Sequence, residues 1–135
     1  MVPLCVEEPR SVEARGLLRD DRTMVVWWSS PVECWSALCR RRREGGLSVA
    51  DEQDARAVLE DLQATWVEME PTDALRTEAD RMLRQHALRA ADALQLAAAR
   101  LWARYLRGPG PFVCYDVRLR EAAAAEGFLP CPVRI

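Results

Sequence analysis

The chain has 135 residues, half of them apolar and 30% charged, with a formal net charge of −2. That length supports one ordinary domain with a sizeable core. The composition excludes a disordered chain, a collagen-like fibre and a polybasic nucleic-acid coat, so net charge by itself speaks against a nucleic-acid partner.

Taken in chain order, residues 11–19 carry apolar positions at helical spacing. MVVWW at 24–28 is a short β-rich apolar run that reads as a buried strand. Ser29, Ser30 and Pro31 punctuate it, and proline in a first turn predicts a helix over 31–43 with Val32, Trp35, Leu38 and Cys39 on one face. Four arginines followed by Glu-Gly-Gly suit the C-terminus of that helix. Ser48 caps a second helix carrying Val58, Leu59 and Leu62. WVEME at 66–70 alternates apolar and acidic residues, as an edge strand does, and Pro71-Thr72-Asp73 starts a helix running to about His86. Residues 88–106 predict a long Ala/Leu-rich helix ended by Gly-Pro-Gly-Pro. PFVCY at 111–115 is a further strand, Asp116 opens a helix to Gly127, and the tail at 131–135 reads as a last edge strand. Strands alternating with helices predict a three-layer α/β/α sandwich with a mainly parallel sheet, formed as a single domain over 1–135. In such sheets the working crevice lies at the carboxyl ends of the strands.

All 19 basic residues are Arg, which removes Walker-type lysines, Schiff bases and the phospho-receiver class that needs a lysine. The five cysteines include no pair at C-x-x-C spacing and lie in apolar segments, as core cysteines of a reducing compartment do. With His86 the only histidine, zinc is poorly supported. The start is acidic and unlike a signal peptide. The apolar stretch near 87–103 is broken by Asp92, Gln95 and Arg100, which argues against a membrane span and for a cytoplasmic protein.

Three acids stand out because their neighbours are apolar. Glu33 lies in SPVECWSAL, Asp92 in RAADALQLAAA, and Asp116 directly after the strand FVCY. Each has an ordinary explanation: Glu33 facing solvent at a helix start, Asp116 as an N-cap, and Asp92 paired with Arg89 or Arg118. Together they point to one rim of an α/β fold. Clustered carboxylates repel unless a cation lies between them, and hard oxygen donors suit Mg²⁺ or Mn²⁺.

SPVECWSALCRRRREGG, RAADALQLAAA and FVCYDVRLREAAAAEGF resemble the acidic blocks of PIN-domain proteins, in particular VapC-like toxins of type II toxin–antitoxin pairs. The resemblance follows the family's order over nearly the whole chain. It implies a Mg²⁺-dependent (or Mn²⁺-dependent) endoribonuclease acting on RNA, held by a cognate VapB-like antitoxin and commonly dimeric. It further implies that Glu33, Asp92 and Asp116 hold the metal directly or through water, and that Ser30 supplies a nearby hydroxyl. The family's first strand and the Asp that ends it have no counterpart from Met1 onward. The fold is therefore expected without its first strand, and the metal site one acid short. The alternative is a catalytically inactive truncated PIN-like protein that serves as an antitoxin- or subunit-binding module.

Among the remaining residues, Arg40 to Arg43 are read as a solvated helix end, with RNA phosphate or antitoxin contact as the functional alternative. Trp27, Trp28 and Trp35 are read as core packing rather than base stacking, and His86 as structural.

Overall fold

The computed structural model describes residues 1–106 and 108–134. In chain order the elements are α1 (Val2–Cys5), α2 (Ser11–Asp20), β1 (Val25–Trp27), α3 (Ser30–Arg43), α4 (Val49–Gln63) and β2 (Val67–Met69), followed by α5 (Asp73–Gln85), α6 (Ala90–Ala103), β3 (Pro111–Val113), α7 (Val117–Ala125) and β4 (Leu129–Cys131). The protein is mixed α/β and mostly helical. No helix of the described residues is long and apolar enough to cross a membrane. The chain divides into two compact units, 1–24 with 28–67, and 25–27 with 68–135.

The first unit is helical. Cys5, Val6, Cys34, Leu38, Ala55 and Leu59 form its buried centre, contributed by α1, α3 and α4, with Trp35, Leu62 and Trp66 packed at the margin. The sequence pattern did not indicate α1, which is a single turn with Pro3 near its start. Buried Ser11 fixes the bend that follows it, accepting from Glu8 N–H at 2.9 Å and donating to Val6 O at 2.8 Å. Helix α3 begins on Ser30-Pro31, as its proline predicts, and stops in a glycine turn. Gly45, at φ +76°, sends its N–H to Arg42 O at 3.0 Å, while Gly46 N–H reaches Arg41 O at 2.8 Å. Helix α4 opens with a reciprocal cap: Asp51 N–H donates to Ser48 Oγ at 3.1 Å, and Ser48 N–H donates to Asp51 Oδ2 at 2.9 Å.

Two arginines of the 40–43 run are engaged within this unit. Arg41 pairs with Glu8, and Arg42 Nε lies 2.5 Å from Glu52 Oε2. Trp35 carries the Arg56 guanidinium 4.8 Å from its ring centroid. Trp28 is about half exposed and so is not a core residue, whereas Trp27 is buried in the second unit. Cys5 and Cys34 are buried thiols held protonated: burial pushes Cys5 up to about 11 and raises Cys34 as well.

The second unit is built on the pairing of α5 with α6. Leu75, Met82, Ala93, Leu96, Ala97, Leu119 and Phe128 lie at its centre, with Trp27 of β1 and Phe112 of β3 against them. Ala93, Leu96, Ala97, Ala98 and Ala103 are the buried residues of α6, and four of the five are small enough for neighbours to pack close to the helix. Truncating Leu96, which has no exposed surface, is expected to destabilise the protein by about 2–5 kcal/mol in a chemical denaturation experiment.

The strands pair two by two, β1 with β2 and β3 with β4, where a single sheet was expected from the sequence. β3 and β4 run parallel, with Pro111 opposite Leu129 and Val113 opposite Cys131. The last strand lies at Leu129–Cys131, earlier in the chain than the tail at 131–135. Pro132 has no N–H for the ladder, and Arg120 takes the Pro132 carbonyl at 2.5 Å. Ile135, the end of the expected strand, lies outside the described residues, as does Arg107 beyond α6. Gly127, at φ +89°, closes α7 and turns Phe128 back onto the core, with Phe128 N–H on Ala123 O at 3.0 Å.

Candidate active site

The second unit carries two of the predicted acids, and the charge of one is felt at the other. Asp116 follows β3 and is the N-cap of α7, where its Oδ1 accepts from Leu119 N–H at 2.9 Å. Asp116 is otherwise exposed. Asp92 stands in the first turn of α6, half-buried, three residues after the N-cap Arg89. Its carboxylate takes the Arg89 backbone N–H, the carboxylate half of a capping box.

The surroundings of Asp92 separate it from an ordinary cap. Burial raises its pKa above the usual aspartate value, and the negative charge of Asp116 raises it further; the Arg89 N–H and guanidinium oppose both effects only in part. Arg89 therefore acts on Asp92, as the ordinary reading of that acid expected, without neutralising it. A carboxylate that is partly desolvated and faces a second carboxylate is a group that a cation would relieve.

Cys114 completes the immediate surroundings and was not singled out from the sequence. Its Sγ accepts the Asp116 N–H at 3.3 Å and lies 3.7 Å from the Asp116 carbonyl. Burial raises this thiol, the Asp116 N–H opposes that, and the charges of Asp116 and Asp92 add to the rise. The same two acids thus press on a third nearby group.

Glu33 belongs to the first unit, in the first turn of α3. It is half-buried, and Ser29 Oγ donates to its Oε1 at 2.7 Å. The hydroxyl against Glu33 is therefore that of Ser29, while Ser30 stands at the start of the helix. Among the described residues, no group of three or more His, Cys, Asp or Glu side chains is placed to hold a metal. The pair still fits Mg²⁺, which is held through one or two carboxylates and keeps several waters and substrate oxygens in its shell.

A second charged cluster lies away from the pair, and sequence reading missed it. Glu78 of α5 is 8% exposed, and Glu126 at the end of α7 keeps 10% of its side chain exposed. Arg81 joins them, with Nη2 2.7 Å from each carboxylate. Arg100 Nε lies 3.3 Å from Glu126 Oε2, Arg104 Nη2 lies 3.3 Å from Glu78 Oε2, and His86 Nε2 lies 2.9 Å from Glu126 Oε1. Each acid meets several cations, so the cluster is a tie between α5, α6 and the end of α7 rather than a metal site. It gives His86 the structural place expected of it.

Hydrogen bonding from Arg81 holds the Glu126 carboxyl below its ordinary value, and His86 and Arg100 add to the effect. A depressed carboxyl contributes stability above the unfolded-chain value of about 4.3, and that contribution is lost as pH falls through the lower folded value. Thermal melts from pH 7 to pH 3 should therefore lose stability in the acid range, and Glu126→Gln should flatten that part of the curve.

Compared with known proteins, the chain matches no family model and no curated sequence.

Proposed function

We propose that the chain is a PIN-like, VapC-like toxin: a Mg²⁺-dependent endoribonuclease whose cation sits at Asp92 and Asp116. In this reading the fold is the three-layer α/β/α sandwich of that family, a VapB-like antitoxin restrains the enzyme, and the working form is a homodimer in the cytoplasm. The observation that carries it is the Asp92–Asp116 pair. One acid stands at a helix start and one at the carboxyl end of a strand, and burial together with the charge of Asp116 raises Asp92 more than the Arg89 N–H and guanidinium lower it.

A divalent cation at the pair supplies neutralisation of charge developing on the phosphodiester and lowers the pKa of water. The chain's own part is to hold the two carboxylates in a fixed relation. The Arg89 N–H fixes Asp92, and the Leu119 N–H fixes Asp116 by one oxygen only. Partial burial of Asp92 strengthens the charge interactions at that carboxylate, while Asp116 is exposed to solvent and to a substrate.

Incubation of the protein with structured RNA and Mg²⁺ tests the reading. Cleavage that EDTA abolishes is expected. A folded protein that takes up no Mn²⁺ and leaves every RNA intact would instead be the binding module.

A further inference from the structure

One side chain holds the strand end that carries Asp116, and nothing in the sequence marked it. Arg120 lies one turn into α7. Its Nη1 donates to Cys114 O at 2.8 Å, and its Nη2 donates to Pro132 O at 2.5 Å. Val133 O lies 3.5 Å from the same nitrogen. One guanidinium thus bridges the carbonyls that end β3 and β4, two strands whose own ladder closes with Cys114 N–H on Cys131 O at 2.9 Å.

The backbone of Arg120 works on the same segment from the other side. Its N–H donates to Asp116 O at 3.0 Å. With Cys114 Sγ on the Asp116 N–H and Leu119 N–H on Oδ1, the main chain of Asp116 and one carboxylate oxygen are all fixed. Among the described residues, the long-range ties of this arrangement are the β3–β4 ladder, ending at Cys114 N–H on Cys131 O, and the Arg120 side chain, which alone of the two also reaches α7. The bonds made by Cys114 Sγ, Leu119 N–H and Arg120 N–H to Asp116 are contacts within four residues, and they would move with the turn if it shifted. The planar five-donor guanidinium suits two carbonyls at once, which a lysine ammonium does not reproduce.

We propose that Arg120 is the positioning residue of the Asp92–Asp116 pair: its fork ties the ends of β3 and β4 to α7 and so sets where Asp116 stands relative to Asp92. The inference rests on the reading of that pair as a cation site. Arg120 touches neither cation nor substrate and acts through the backbone on either side of Asp116.

The test uses the full chain as wild type, Arg120→Ala, Arg120→Met (which keeps an unbranched apolar stem) and Asp92→Asn, with Mn²⁺ titration and amide hydrogen exchange at 114–119. Loss of the fork is expected to speed exchange at Asp116 and Leu119 and to weaken Mn²⁺ binding by about 10–100-fold, the usual effect of removing a group that orients a ligand. Asp92→Asn is expected to abolish Mn²⁺ binding while leaving exchange at 114–119 as in wild type, which separates holding the metal from holding the turn. Should Arg120→Ala lose its far-UV circular dichroism, Arg120→Met carries the comparison. A folded Arg120 variant that binds Mn²⁺ as wild type does would overturn the positioning role. A wild-type chain that takes up no Mn²⁺ overturns the metal reading and this inference with it, an outcome distinguishable because in the former case the wild-type titration saturates.

Discussion

Replacing Asp92 with Asn is expected to lower Mg²⁺-dependent RNA cleavage by more than about 100-fold, beyond the 10–100-fold typical of residues that only support a metal ligand. It should do so without lowering the melting temperature. Asn keeps the size of Asp and still offers an oxygen to the Arg89 N–H, so the cap at the start of α6 survives. What disappears is a partly desolvated charge facing Asp116, and its removal relieves the folded state. Activity and stability would then move independently or in opposite directions. A structural acid behaves otherwise: its loss lowers stability and leaves any activity in proportion to the folded fraction. Cleavage rates measured beside thermal melts of the same two proteins make the distinction.

Glu78→Ala is the expected opposite case, with a large effect on folding and none specific to chemistry. Glu78 is almost fully buried and receives Arg81 and Arg104, with Arg100 nearby. Removing one partner from a buried ion pair costs about 3–5 kcal/mol, because the remaining charges stay desolvated. Here Arg81 and Arg100 keep about a third of their side chains in water and Arg104 keeps 63%. The expected loss is therefore smaller, about 2–4 kcal/mol. For a chain of this length that is a fall of roughly 6–15 °C in melting temperature. Differential scanning calorimetry at pH 7 measures it, and a shift of less than about 1 °C would mean that the cluster is a surface network of little weight.

The two kinds of acid look alike in sequence. Asp92 sits among alanines and leucines, and the cost of burying an unpaired carboxylate marked it before any fold was known. Glu78 sits in TEADRML, an ordinary amphipathic helix, and only the return of α6 and α7 brings Arg100, Arg104 and Glu126 to it. Local signals such as Pro31, the Ser48 and Thr72 caps, Asp116 and the glycines at 45 and 127 set most helix boundaries within a residue or two, because capping and left-handed turns are decided by near neighbours. The pairing of strands was less legible. Three-residue strands carry little alternation, and the last strand was read too late because its apolar residues continue past Pro132, where the ladder cannot. Arg120 was invisible for a related reason: its partners are backbone carbonyls, which leave no trace in the sequence.

The Asp92–Asp116 pair also changes what the net charge of −2 means. An acidic protein ordinarily repels a polyanion. A carboxylate pair that binds Mg²⁺ presents a cation to phosphate whatever the overall charge of the chain. Calorimetric titration of the folded protein with Mn²⁺ at pH 7 addresses that claim most directly. Saturable binding at one or two ions per chain, lost in Asp92→Asn, is the predicted result; a folded wild-type protein that shows no binding at millimolar Mn²⁺ would contradict it.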